Sequence, residues 1–142
     1  MPPVDNFKTV QELSDAYREW GAVIGLEFRS LESEPQHDGV PHVEIVDGEF
    51  HYVGTDRGCE TMRDVYSDGG DLLKRLLVDW AFGAGIQYEV QNRVAGQDFR
   101  RIVHEHQLKL LARLGPRWYR AGQDSIDEIL EKYPYSDSGT DL

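Results

Sequence analysis

The residues best suited to chemistry in this 142-residue chain lie between Tyr88 and Arg101. Glu89 and Arg93 are four apart, in the favourable orientation for an ion pair on a helix. Val94, Ala95 and Gly96 then break the helical pattern, and the short break brings Asp98, Arg100 and Arg101 back toward the same helix end. Two kinds of chemistry fit such a set. Glu89, Arg93, Asp98 and Arg101 can pair among themselves as a structural network that pins two helices. Alternatively, the arginines can line a pocket for an anion or carboxylate, as in a small enzyme or ligand-binding domain. The spacing pairs these residues with one another, so we read the network as structural.

Other reactive side chains form weaker patterns. His104 and His106 point about 200° apart on a helix and cannot share an ion; His106 falls on an apolar stripe, where a core histidine is expected. His42 and His51 could meet across strands but have no third ligand beside them. Arg57 could lower the pKa of Cys59, yet a single thiol without a histidine base is a poor nucleophile site. The chain has no nucleophile elbow, phosphate loop or dinucleotide motif. The expectation is a protein without catalytic residues, metal or cofactor.

Charge narrows the partner. There are 26 acids against 15 bases, for a net charge of −11. Residues 1–68 hold 15 acids and 5 bases, whereas residues 69–142 hold 11 and 10. Such a surface repels nucleic acid; the excess acid either only keeps a small protein soluble or forms a face that steers toward a basic partner. The single cysteine precludes an internal disulfide and fits a reducing compartment. The longest uncharged apolar run, Trp80 to Ile86, is far short of a membrane span, and no signal peptide is visible at the N-terminus. A cytoplasmic protein that avoids membranes is expected.

The elements that position these residues can be read in order. Thr9 and Glu12 have capping-box spacing, and Val10, Leu13, Tyr17, Trp20 and Ile24 form one stripe, predicting a helix from Thr9 to Ile24 that stops at Gly25. Ser30 to Val40 reads as an acidic loop. Asp47-Gly48 predicts a type I′ hairpin in which Val46 faces Glu49, Ile45 faces Phe50, Glu44 faces His51 and Val43 faces Tyr52. That register puts Val43, Ile45, Phe50 and Tyr52 on one apolar face. A turn at Asp56 to Gly58 and a strand from Glu60 to Tyr66 complete a meander. A long helix follows from Asp71 to about Arg93, with Gly83 and Gly85 allowing close approach of another element. The next helix carries Phe99, Ile102, Val103, His106, Leu110, Leu111 and Leu114. Gly115-Pro116 separates it from a last helix whose buried side is Tyr119, Ile126, Ile129, Leu130 and Tyr133. The expected class is α+β: an N-terminal helix, a three-stranded antiparallel meander, and a three-helix C-terminal half packed on it. Residues 1–142 form one domain in this reading, with a polar tail from about residue 134.

The run Tyr88-Glu89, Asn92-Arg93, Gly96-Gln97-Asp98-Phe99-Arg100-Arg101, then Gln107 to Leu111 and Trp118, resembles the immunity protein 63 family of bacterial polymorphic toxin systems. Tyr52 with Arg57-Gly58, Leu72-Leu73, and Ile126 to Tyr135 extend the likeness to about Val43 through Tyr135. The resemblance implies a small cytosolic protein, encoded beside a secreted toxin, that binds and blocks it without catalytic residues of its own. Set beside the charge asymmetry, it implies docking of a basic toxin domain on the acidic half. The loop acids Glu32, Glu34 and Asp38 and the hairpin acids Glu44, Asp47 and Glu49 are the expected partner-binding residues.

Overall fold

The computed structural model describes residues 1–27 and 31–137. Ser30, where the expected acidic loop begins, and the tail from residue 138 lie outside the described residues. The elements are α1 (Val10–Val23), β1 (His42–Val46), β2 (Glu49–Asp56), β3 (Cys59–Tyr66), α2 (Gly69–Gln91), α3 (Arg100–Leu114) and α4 (Pro116–Lys132). The three strands form one antiparallel sheet in the order β1-β2-β3, giving the expected α+β class. The chain divides into two compact units, Met1–Leu76 and Leu77–Leu142, and the division falls within α2. Among the described residues, no helix is long and apolar enough to cross a membrane.

In the first unit, α1 starts where its capping box requires. Thr9 Oγ1 accepts from the Glu12 backbone N–H at 3.1 Å, and Glu12 Oε1 accepts from the Thr9 N–H at 3.1 Å. Two of the helix's unpaired donors are thereby satisfied. The buried stripe is Leu13, Ala16 and Trp20, followed by Ile24, and Trp20 Nε1 donates to the Pro3 carbonyl at 2.9 Å. Gly25, at φ +81°, ends the helix as expected. Asp47 and Gly48 both have positive φ, the hairpin conformation inferred from their types, and the β1–β2 register is the expected one. Val43 and Phe50 are buried on the apolar face, whereas Ile45, next to the turn, is exposed. Arg57-Gly58 makes the second turn, again with positive φ at both residues. The β2–β3 register slips between Gly54 and Thr55, so Thr61 has no opposite number and bulges out of β3. Arg75 of α2 holds β3 through Asp64 and, at 3.0 Å, Tyr66 Oη.

In the second unit, Gly115, at φ +129°, and Pro116 form the corner between α3 and α4. The faces that these helices bury differ from the hydropathy reading. On α3 the buried polar residues are His104 and Gln107; His106 is half-buried and Phe99 is exposed. The reason is hydrogen bonding. Gln107 Nε2 donates to the Val78 carbonyl at 3.0 Å, and His104 Nδ1 lies 2.7 Å from Tyr135 Oη. On α4 the buried residues are Trp118, Gly122 and Ile126, whereas Tyr119, Ile129 and Tyr133 are exposed. Gly122 sets this face because a side chain there would run into Leu111 of α3. Gly85 does allow a close approach, since a Cβ on it would lie 2.5 Å from the Val103 carbonyl oxygen. Gly83 does not: among the described residues, nothing beyond its chain neighbours and the local helix backbone lies within 4 Å of its Cβ position.

The two glycines should therefore respond oppositely to alanine. Gly85→Ala is expected to destabilise by ~1–3 kcal/mol, because backbone must move. Gly83→Ala should stabilise by ~0.5–1 kcal/mol through helix propensity alone. Urea unfolding of the two variants checks both signs.

Candidate partner interface

The loop acids are held at the sheet by backbone pairing rather than left to wander. The Glu32 carbonyl accepts from the Val43 N–H at 2.8 Å, beside the outer edge of β1. The Gly39 N–H donates to the Thr55 carbonyl at 2.7 Å, and the Arg57 N–H donates to the His37 carbonyl at 3.0 Å. Asp38 sits opposite Asp56, and its Oδ1 takes the Val40 N–H at 3.0 Å. Glu32, Glu34 and Asp38 are all exposed, as are Asp47 and Glu49. Glu32 and Asp38 lie toward the end of the β1–β2 ladder away from the first turn, with Asp47 and Glu49 at that turn, roughly 15 Å along the strands.

Glu44 differs from the other five. It lies on the opposite face of the ladder from Val43, its side chain about one-third exposed. Arg63 Nη1 donates to Glu44 Oε1 at 2.9 Å and to His51 Nδ1 at 2.8 Å, and His42 Nε2 lies 2.8 Å from Glu44 Oε2. Glu60 grips the other side of the same guanidinium at 2.7 and 3.0 Å. The hydrogen bonds from His42 and then Arg63 hold the Glu44 carboxyl below its ordinary range. Its charge is already engaged inside the sheet. Among the described residues, Glu32, Glu34, Asp47 and Glu49 form no ion pair.

The Glu89–Arg101 set belongs to the second unit, and the structure brings it together in two separate pieces. Arg93 Nε and Nη2 donate to the two oxygens of Glu89 at 3.0 and 3.1 Å; Glu89 is buried while Arg93 is exposed. Asp98 pairs not with Arg101 but with Arg100, at 2.8 Å, both side chains largely out of water. Arg100 reaches further, donating to the Tyr133 and Pro134 carbonyls at 2.8 and 2.9 Å. The Asp98 carboxylate also accepts the Ser136 and Arg100 backbone N–H groups, at 2.9 and 3.0 Å. Arg100, reinforced by these N–H donors, holds the Asp98 carboxyl well below the usual carboxylate range. Arg101 takes Asp137 instead, at 2.9 Å, and lies 4.3 Å from the centre of the Tyr135 ring. The cluster thus clamps residues 133–137 against the start of α3. Burial holds His104, beneath Tyr135, below the ordinary histidine range.

Each arginine considered as a pocket wall, Arg93, Arg100 and Arg101, already faces a carboxylate. No group of three or more His, Cys, Asp or Glu side chains able to hold a metal ion occurs among the described residues. Sequence reasoning alone misses the parts played by Tyr135, Asp137 and Arg63. The clearest signals for them are the spacing of Glu60 and Arg63 and the Tyr-Pro-Tyr run at 133–135.

The family model described as Immunity protein 63 matches residues 47–128, more than half of the chain. The chain belongs to this family. Comparisons with curated proteins and with solved structures give no match. The matched residues include Glu89, Arg93, Asp98 and Arg101, whereas Glu32, Glu34, Asp38 and Glu44 precede them.

Two variants test the charged cluster. Asp98→Asn should lower the melting temperature by several degrees at pH 7. Because the folded-state pKa of Asp98 is depressed, its contribution is complete above the unfolded value of ~3.9 and lost as pH falls below it. The gap between wild type and variant should therefore be constant from pH 5 to 7 and close toward pH 2. Arg93→Ala strands a buried carboxylate and should likewise reduce stability, with Arg93→Lys recovering part of it. Thermal melts at several pH values distinguish these outcomes from a binding-only defect.

Proposed function

We propose that this protein binds a cognate secreted bacterial toxin domain and neutralises it by stoichiometric occlusion, with its acidic first unit steering a basic toxin surface. The observation that carries the reading is membership of the immunity protein 63 family over residues 47–128. Occlusion needs only a stable surface that covers the toxin's working site, so no residue of this chain has to perform chemistry. The exposed acids Glu32, Glu34, Asp38, Asp47 and Glu49 support the electrostatic part. Their field extends about a Debye length into solvent and raises the encounter rate with a cation-rich domain. Glu44 is assigned to holding the sheet, since its charge is spent on His42 and Arg63.

Co-expression with the toxin domain encoded next to this chain is the direct test, and survival of the host is the expected outcome. Binding kinetics test the steering. Reversing Glu32, Glu34 and Asp38 to Lys should slow association about tenfold at low salt and change dissociation little. The fold should tolerate the reversals, because these side chains are exposed and only the Val40 N–H loses an acceptor. An association rate indifferent to both salt and reversal would assign the acidic excess to solubility.

A further inference from the structure

From His106 to Gln123 the chain carries four cations, Lys109, Arg113, Arg117 and Arg120, and no Asp or Glu, although its 26 acids outnumber its 15 bases overall. Lys109 faces Glu105 at 3.6 Å. Arg117 and Arg120 are exposed and, among the described residues, form no ion pair. Three residues apart at the start of α4, they stand side by side. Next to them, at the corner between α3 and α4, lies a groove of about 490 Å³. Ala112, Pro116 and Tyr119 give it apolar walls, and Arg120 and Gln123 line it as well. Asp124 lies at the other end, about two turns of α4 beyond Pro116. Tyr119 is 41% exposed, so the groove is open to a partner. An apolar hollow with unpaired guanidinium groups at one end fits an apolar side chain that has carboxylates beside it.

The β1–β2 hairpin tip has that composition. Val46, 39% exposed, stands directly opposite Glu49 in the ladder, with Asp47 beside it in the turn. Asp47 and Glu49 are exposed and form no ion pair among the described residues. The two-residue turn holds all three on a narrow projection. We propose that the hairpin tip of one copy docks in the α3–α4 corner groove of a second copy. Val46 enters between Pro116 and Tyr119, while Asp47 and Glu49 meet Arg117 and Arg120. Charge selects this occupant, and on each side the charges belong to the contact itself. At physiological salt the screening length is about 8 Å, so facing groups count for more than the net charges of whole chains. A basic toxin surface meets like charge at this corner. Tip and groove are different surfaces, so the contact is heterologous and association runs head to tail. The contact goes beyond the proposed toxin binding but shares Asp47 and Glu49 with it, so a docked copy and a basic toxin domain compete for the same tip.

Two double variants, each spoiling one half of the contact, test it. Asp47→Asn with Glu49→Lys removes the acids of the tip and keeps in the turn a residue type that accepts positive φ. Arg117→Glu with Arg120→Glu reverses the corner at exposed side chains. Both should melt close to wild type. A contact of one tip and one groove is small, so association is followed by sedimentation from about 10 μM to 1 mM. The average mass of wild type should rise with concentration, and either variant alone should associate about tenfold more weakly or worse. Mixed in equal amounts, the two variants should form a one-to-one pair and grow no further, because one keeps an intact groove and the other an intact tip. Wild type that stays monomeric throughout the range overturns the proposal. So does self-association that survives in both variants, and so does a monomeric mixture where wild type associates. Monomeric wild type whose binding to the toxin domain encoded beside this chain is weakened by the Arg117 and Arg120 reversal assigns the groove to the toxin, and overturns the proposal as well.

Discussion

A carboxylate withdrawn from water must take its counter-charge with it, and this constraint decides what each of the chain's 26 acids can do. Glu44, Glu89 and Asp98 are wholly or largely withdrawn, and each is matched by an arginine: Arg63, Arg93 and Arg100. Those charges are spent on structure and contribute little to the field outside. Glu32, Glu34, Asp38, Asp47 and Glu49 stay in water and keep their full effect at a distance. A net charge of −11 is thus not a uniform coat. Part of its outward share in the first unit stands on the loop before β1 and on the first hairpin turn.

The arginines succeed as partners because of their shape as well as their charge. A guanidinium presents five N–H groups in a rigid plane, so Arg100 can hold the Asp98 carboxylate and two tail carbonyls at once. Arg63 likewise satisfies Glu60, Glu44 and His51 together. A lysine could supply the charge at either place but not the geometry. The clamp on residues 133–137 and the outer face of the sheet are therefore built on the same device, once in each unit.

Encounter and residence draw on different physics. A long-range field guides a partner in and is weakened by salt, whereas a desolvated apolar contact slows its departure and is little affected by ions. The pairing of Glu89 with Arg93 belongs to neither: it gives a buried carboxylate its counter-charge at the end of α2, with the Arg93 side chain still exposed.

What the residues determine by themselves is whatever depends on neighbours along the chain. The Thr9–Glu12 box, the Asp47-Gly48 and Arg57-Gly58 turns, the hairpin register and the Gly115-Pro116 corner all follow from local dihedral preferences and hydrogen bonds spanning four residues or fewer. The pairing of Glu89 with Arg93 is local in the same sense. Only the tertiary structure decided which faces of α3 and α4 are buried, because His104 and Gln107 are made tolerable in the interior by Tyr135 and Val78, 31 and 29 residues away. It also decided that Asp98 takes Arg100 while Arg101 takes Asp137, and that Gly85 is crowded while Gly83 stands open. Hydropathy records what a side chain prefers in isolation. The burial of a polar group, and the need for a glycine, are set by atoms that another element brings to it.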